Sequence, residues 1–490
     1  MLHALVFFYL FSTALSEIVS VTPTSLGTWQ GFGVSLAWAG NVFGGRVDIA
    51  DALFTTNKSV TLLEGFSIPG LGLQLARYNV GGSARLSDPP INLQGYSKKQ
   101  KMIWSPNMPV WKAIEAFWLN PNSTDPTSSS WDFSRDANQR AALTEAISRG
   151  ASAQIFSNSP PWFLTVNLNP SGADSGPNDN ILPVSYQSHA IYMATVTAEF
   201  SSRFGIKFES VEAFNEPSGT WWNSRGTQEG CHIGPTAQSS ILPLLRSEMN
   251  SLGLSNIPIA SSDESLVDQA VDTWKQLTQV AKDSFDILQV HGYEGNAGNR
   301  TGLYELGVIQ GKKILRNSEH GEGDGSGESL ATQFLLDSTQ MHILSWAYWQ
   351  AFDITGWGIL TADMTRAIVQ GISTKNYILA GLARHIRRDM QIISTSGAGN
   401  IIAAYDSLSS IQTVVIWVVF NNTQTSSSLT FDLSSFTNCK NLPVLRYVTD
   451  FNGKGDLYKE YTDTTMTEST FSVNVMTGST QTLIIEGCKA

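Results

Sequence analysis

Between residues 31 and 385, short apolar runs alternate with longer stretches of helical period. Eight runs have strand length: 31–36, 73–80, 152–157, 210–214, 257–261, 287–290, 313–317 and 344–349. Helical periodicity fills much of the space between them, at 139–148, 186–204, 235–252, 266–281, 329–341 and 374–385. Such alternation predicts a parallel sheet with crossover helices. Eight units in about 350 residues suit an α/β fold, a (β/α)8 TIM barrel with inserted loops. Either Asp136 or Ser134 is placed to cap the helix that starts near Gln139. Two long loops break the rhythm. One runs over 81–132 with Trp104, Trp111, Trp118 and Trp131; the other runs over 160–183. Loops after barrel strands stand over the mouth, where function concentrates.

From residue 386 to 490 the pattern changes to short β-branched runs, such as QTVVIWVVF and QTLIIEG, separated by turn formers such as FNGKGD and MTGST. This predicts a β-sandwich side domain. No aromatic platform stands out in it, which favours a structural companion of the barrel over a binding module. Residues 17–30 also read extended and are expected to join the sandwich. No internal repeat or low-complexity tract is present.

Composition narrows the class. At 490 residues, with 42% hydrophobic and 15% charged positions, the chain is globular and needs more than one small core. A formal net charge of −11 argues against nucleic acid or an anionic membrane as partner, and a monomer is expected. Residues 1–16 are apolar, too short for a comfortable membrane span, and end Ala14-Leu15-Ser16, a small-x-small pattern. They read as a secretory signal, so an extracellular location is expected. Asn57, Asn122, Asn299 and Asn421 each open an N-glycosylation sequon. Of three cysteines, Cys439 and Cys488 share the C-terminal region and are placed to form one disulfide, leaving Cys231 as a buried small residue. No Cys/His spacing suggests zinc, and neither a metal nor a cofactor is expected.

The chemistry gathers at two strand ends. The run Val211-Glu212-Ala213-Phe214-Asn215-Glu216-Pro217 is a strand stopped by a polar pair and a proline, which lacks an N–H for the ladder. It carries Glu216 to the tip. Glu319 likewise closes the apolar run Ile314-Leu315-Arg316-Asn317-Ser318 and precedes the glycine-rich Gly321–Gly327. The two glutamates are 103 residues apart, three βα units at about 30–35 residues each, so both tips face one mouth. Two facing carboxyls are what glycoside hydrolysis requires. Other acids compete: Glu229, Asp263, Glu264, Glu294, Asp324, Glu328, Asp353 and, as the closest rival of Glu319, Glu322. The sequence GEGDGSG lacks the lysine of a phosphate loop and the full calcium-loop pattern, and reads as a flexible loop beside the site.

With these pieces the chain resembles glycoside hydrolase family 30. Asn215-Glu216-Pro217 and Glu319 are similar to that clan's acid/base and nucleophile on strands four and seven. Gly31-Phe32-Gly33, Arg77-Tyr78-Asn79-Val80-Gly81, Ser159-Pro160-Pro161-Trp162, His291-Gly292-Tyr293 and Trp346 follow in strand order. The Asn-Glu-Pro motif alone is weak; its coincidence with the others, over essentially the whole mature chain, is specific. The resemblance implies a retaining hydrolase in which Glu216 is acid then base and Glu319 is the nucleophile. It implies that Arg77 lies near Glu319 and lowers its pKa, that Asn215 donates to the sugar 2-hydroxyl, and that Tyr293 bonds the nucleophile. His291 would position its neighbours, and Trp162 and Trp346 would wall the site. As plain residues, Trp162 and Trp346 have core burial as their alternative reading, and His291 a structural role.

Within the family, Asn215–Trp222 with Thr227-Gln228-Glu229-Gly230-Cys231-His232, and Trp346-Ala347-Tyr348-Trp349-Gln350, are similar to fungal endo-β-1,6-galactanases. The expected substrate is therefore β-1,6-galactan, the polysaccharide of arabinogalactan side chains. Trp38, Trp221, Trp222 and Trp349 are candidates to stack on the sugar's apolar face. The alternatives are a β-1,6-glucanase or xylanase on the same scaffold, or a catalytically silent carbohydrate-binding protein.

Overall fold

The computed structural model describes residues 17–354 and 356–490; the segment read as a signal, 1–16, lies outside them. Eight parallel strands close into a barrel: Phe32–Ser35, Leu75–Asn79, Ser152–Phe156, Phe208–Glu212, Ile259–Glu264, Ile287–Val290, Ile314–His320 and Trp346–Tyr348. The eighth pairs with the first through Trp346 and Phe32, which shuts the sheet without an edge. Most strand residues are buried on both faces, which is why the strands appear in sequence as unbroken apolar runs.

The crossover helices form where the 3.6-residue period is kept. Tyr186–Phe204 ends at Gly205, whose left-handed φ of 69° lets its N–H close back on Ser201. The stretch 266–281 is two helices, Val267–Gln276 and Gln279–Asp283. Thr278 starts the second by accepting a bond from the Ala281 N–H, so its side chain interrupts the continuous period. The stretch 329–341 is an α-helix, Glu328–Leu336, that loosens into a π turn, Asp337–Met341. The helix Ala137–Ser148 has no side-chain cap. Asp136 has a φ of 50°, and its carboxyl accepts from the Tyr78 hydroxyl and from Gln139 Nε2 at 2.6 Å instead. Ser134 bonds Asp132. A three-stranded sheet of Phe352–Asp353, Leu360–Asp363 and Ile368–Ile372, not evident from periodicity, rises after the eighth barrel strand.

A second sheet has nine strands, mostly antiparallel. Its fourth strand in spatial order, Thr413–Phe420, explains how the two parts join. Val414, Ile416 and Val418 pack into a core shared with Leu429, Phe431 and Val473 from the far end of the same sheet, so the sheet curls over one apolar filling. Val415, Trp417 and Val419, on the opposite face, join the core of the barrel, and Trp417 meets Phe334 edge-on at 5.6 Å. A strand buried on both faces contributes roughly 1.5–3 kcal/mol for each large side chain. The N-terminal strand Glu17–Thr28 pairs antiparallel with Gln391–Ser396 and parallel with Ser427–Asp432. Cys439 and Cys488 form a disulfide inside this domain, and Cys231 is free and buried.

Candidate active site

Beyond the fourth strand the chain turns sharply at Glu216, whose φ of 48° is unusual for a residue with a Cβ. Three hydrogen bonds to the Glu216 backbone hold the turn. The Glu216 N–H donates to the Asp263 carbonyl at 2.8 Å, and its own carbonyl accepts from Trp222 Nε1 and the Gly219 N–H, both at 2.9 Å. Glu319 sits within the seventh strand. Both carboxyls line a cavity of about 630 Å³ across the barrel mouth.

Arg77, from the second strand, organises the floor. Its guanidinium donates to Glu319 Oε2 at 2.5 Å, to Asn215 Oδ1 at 3.2 Å and to the Asp263 carboxylate. Burial disfavours its charge, but Asp263 and Glu319 outweigh that and raise its pKa. His291 stands between the carboxyls. Its Nδ1 is 3.3 Å from Glu216 Oε1 and 3.4 Å from Glu319 Oε1; its Nε2 is 3.3 Å from Asp263 Oδ1, an ion-pair contact and not a well-aimed hydrogen bond. Burial opposes a charged imidazole, yet Glu319 and Asp263 carry its pKa up to about 10. Asp263 is pushed up by burial and pulled further down by Arg77 and His291, so it stays ionised. Tyr293 donates its hydroxyl to Glu319 Oε1 at 2.9 Å.

Arg77 does pull the Glu319 carboxyl down, as does His291, but burial outweighs both and the net direction is up. A second buried carboxyl, Glu212, lies beneath this layer with no hydrogen-bond partner on either oxygen among the described residues; burial and then Asp263 raise its pKa well above the usual range, which favours its neutral form.

The rivals of the two glutamates are otherwise engaged. Glu322 pairs with the buried Lys375 at 2.7 Å, and Glu264 accepts from Ser218 and Thr273 at 2.7 Å. Glu229 accepts from Ser83 Oγ at 2.5 Å and from the Gly82 and Ile114 N–H groups, clipping the 81–132 loop to the loop after strand four. Glu294 caps the Val267 N–H, and Glu328 holds Asn422 of the side domain. Asp324 accepts from the Ser326 and Ser329 N–H groups, so GEGDGSG is a fastened loop and not a free one. Asp353 lines the cavity, and Asp263 lies in the network under it.

The aromatic residues divide. Trp38, Trp221, Trp222 and Trp349 line the cavity. Trp346 does not: it is fully buried, packed on Phe334 and His320, with its Nε1 directed at Asp337. Trp162 is also buried, against Phe163, and is absent from the cavity wall. Both are core supports: Trp346 is on the eighth strand, whose apolar run does not reveal which ring reaches the mouth, and Trp162 opens a short turn after the third strand. Lys112, whose Nζ lies 3.7 Å from the centre of the Trp38 ring, and Trp357 line the cavity without having been marked in the sequence. Both come from irregular loops. Of the sequons, Asn57, Asn122 and Asn299 are exposed and Asn421 is half-buried.

One ligand atom each from Glu216, His291 and Glu319 lie within 4.8 Å of one another, a spacing a metal could use. Glu319 and Asp263 carry the His291 pKa up to about 10, so its ring would have to give up a proton before ligating a metal. What the arrangement can do is proton transfer and nucleophilic attack at a carbon held between the two carboxyls.

Comparison with known proteins agrees with this geometry. The sequence model of O-glycosyl hydrolase family 30 matches residues 17–282. The chain is 40% identical, over 96% of its length and 94% of the relative's, to an endo-β-1,6-galactanase of Hypocrea rufa. It is 25% identical to an exo-β-1,6-galactobiohydrolase of Bifidobacterium longum, over 64% of this chain and 25% of that longer protein. Among solved structures, the catalytic domain of a family 30 xylanase C from Talaromyces cellulolyticus superposes with a TM-score of 0.68 at 19% identity, covering 96% of this chain and all of the other. The chain belongs to O-glycosyl hydrolase family 30.

Proposed function

We propose that this chain is a secreted, retaining endo-β-1,6-galactanase with Glu216 as acid/base and Glu319 as nucleophile. The observation that carries the reading is the shared contact of His291 with both carboxyls, which keeps their oxygens within 4.8 Å. Retaining enzymes hold their carboxyls about 5–5.5 Å apart, whereas inverting ones leave room for a water at about 6.5–9.5 Å.

Charge balance assigns the roles. The buried cations are Arg77 and His291; Asp263 and Glu319 face both, and Glu216 faces His291. Arg77 donates to Glu319, which makes Glu319 the charged nucleophile and leaves the proton-transfer role to Glu216. A Glu319 oxygen attacks C1 of the galactosyl unit, and the Glu216 proton passes to the departing O6. The ester then formed removes the Glu319 charge, and Glu216, having given its proton to O6, is the carboxylate that remains beside His291. It takes a proton from water, whose oxygen attacks C1 and releases Glu319 with the β configuration retained. Asn215, whose Oδ1 is taken by Arg77, has its Nδ2 left for the sugar 2-hydroxyl.

Support for galactan comes from the 40% identical relative, and support for secretion from the Cys439–Cys488 bond, which persists in oxidising compartments. The test is to offer purified protein β-1,6-galactan, β-1,6-glucan and glucuronoxylan and to analyse the products. Galacto-oligosaccharides released first as β-anomers are expected. Products from glucan or xylan alone would defeat the substrate reading, and no products from folded protein would favour a silent binding protein.

A further inference from the structure

Two indoles stand open at the cavity. Trp221, on the loop after the fourth strand, is 41% exposed, and Trp357, on the loop after the eighth, is 39% exposed. Strands four and eight are diametrically opposite in the closed eight-strand ring, so the two rings rise on opposite sides of Glu216 and Glu319. The other cavity indoles are already covered. Trp38 has Lys112 Nζ against its face and Trp349 against it edge-on at 4.9 Å, and Trp222 is buried.

Trp357 is fixed in place by its neighbours. Gly356 has a φ of +89°, and a Cβ there would come within 2.3 Å of the Gly323 carbonyl oxygen, so only glycine lets the loops after strands seven and eight cross. Lys375 Nζ donates to the Gly356 and Glu322 carbonyls at 2.6 Å and to the Tyr348 hydroxyl at 2.7 Å. Tyr348 in turn donates to the Trp357 carbonyl at 2.8 Å. A buried ammonium with this many partners orders an exposed ring, which has no folding role of its own to justify it.

We propose that Trp357 and Trp221 are the stacking platforms of two galactosyl subsites on opposite sides of the scissile bond. Trp357 lies over the loop that follows Glu319, the nucleophile, and serves the glycone side. Trp221 stands beside Trp222, which bonds the Glu216 carbonyl, and serves the leaving-group side. The apolar C–H face of galactose suits both rings. This rests on the galactanase reading, and it places binding energy on both flanks, as cutting within a polymer requires.

The experiment uses β-1,6-galacto-oligosaccharides labelled at the reducing end, with Trp357→Ala, Trp221→Ala and the conservative Trp357→Phe. Each alanine variant is expected to lower kcat/KM by about tenfold or more. Trp357→Ala should move the cleaved bond toward the non-reducing end, Trp221→Ala should move it the other way, and Trp357→Phe should recover part of the wild-type pattern. Unchanged cleavage positions in folded variants, or shifts in the same direction, would overturn the proposal. If wild-type protein cuts no galacto-oligosaccharide, the galactanase reading itself fails and the galactosyl assignment falls with it.

Discussion

His291 Nδ1 lies 3.4 Å from Glu319 Oε1, a fully buried cation against a fully buried carboxylate. In the free enzyme this contact helps keep Glu319 ionised. Removing the cation in His291→Gln takes away a stabiliser of the charged form, so the Glu319 pKa rises. The acidic limb of kcat/KM should therefore move to higher pH, with kcat down by about 100-fold. A pH–rate profile checks this; an unmoved acidic limb would mean that His291 carries no charge in the working enzyme.

Arg77 bridges Glu319, Asn215 and Asp263 at once. Arg77→Met leaves the buried carboxylates Asp263 and Glu319 facing the single cation His291, an uncompensated buried charge, and is expected to lower unfolding stability by about 3–5 kcal/mol. Adding Asp263→Asn removes the stranded charge, so the double variant should lose less than the sum of the single losses. Arg77→Lys should also fail to restore activity, because an ammonium cannot span three acceptors as a planar fork does. Urea unfolding of the set checks the coupling; additive losses would contradict it.

Glu229 ionises at its ordinary 4.5 in the unfolded chain, but burial pushes it up to about 8 in the fold, against the pull of Ser83 and the Gly82 and Ile114 N–H groups. Between those pH values unfolding releases a proton, so rising pH favours the unfolded chain and stability should fall from about 4.5 to about 8. Asp136, moved from 3.8 to about 7 by burial, adds to the same slope. Glu229→Gln should flatten part of it, as read by thermal unfolding across that range. An equal slope in the variant would show that Glu229 does not contribute.

The barrel was largely legible because its strands are buried on both faces and appear as apolar runs, and because Glu216 and Glu319 end such runs. Less legible was which side chain on a strand reaches the mouth: Trp346 and Trp349 are three residues apart, and only Trp349 lines the cavity. Lys112, Trp357 and Lys375 escaped notice because their places depend on loop crossings between distant segments, such as Gly356 against Gly323. Asp263 read as one more acid at the mouth; its importance appears only when Arg77, His291 and Ser318 close on it. The break at Thr278 was hidden because a side-chain cap leaves the apolar period on either side intact.

The central claim is that Glu319 attacks and Glu216 transfers the proton. Its most direct test is to trap the glycosyl-enzyme with a slow-turnover fluorogalactoside and map the labelled peptide by mass spectrometry. The label should sit on Glu319, and Glu216→Ala should still form the adduct from a donor with a good leaving group. A label on Glu216 or Glu322, or no adduct with release of the inverted anomer, would contradict the account.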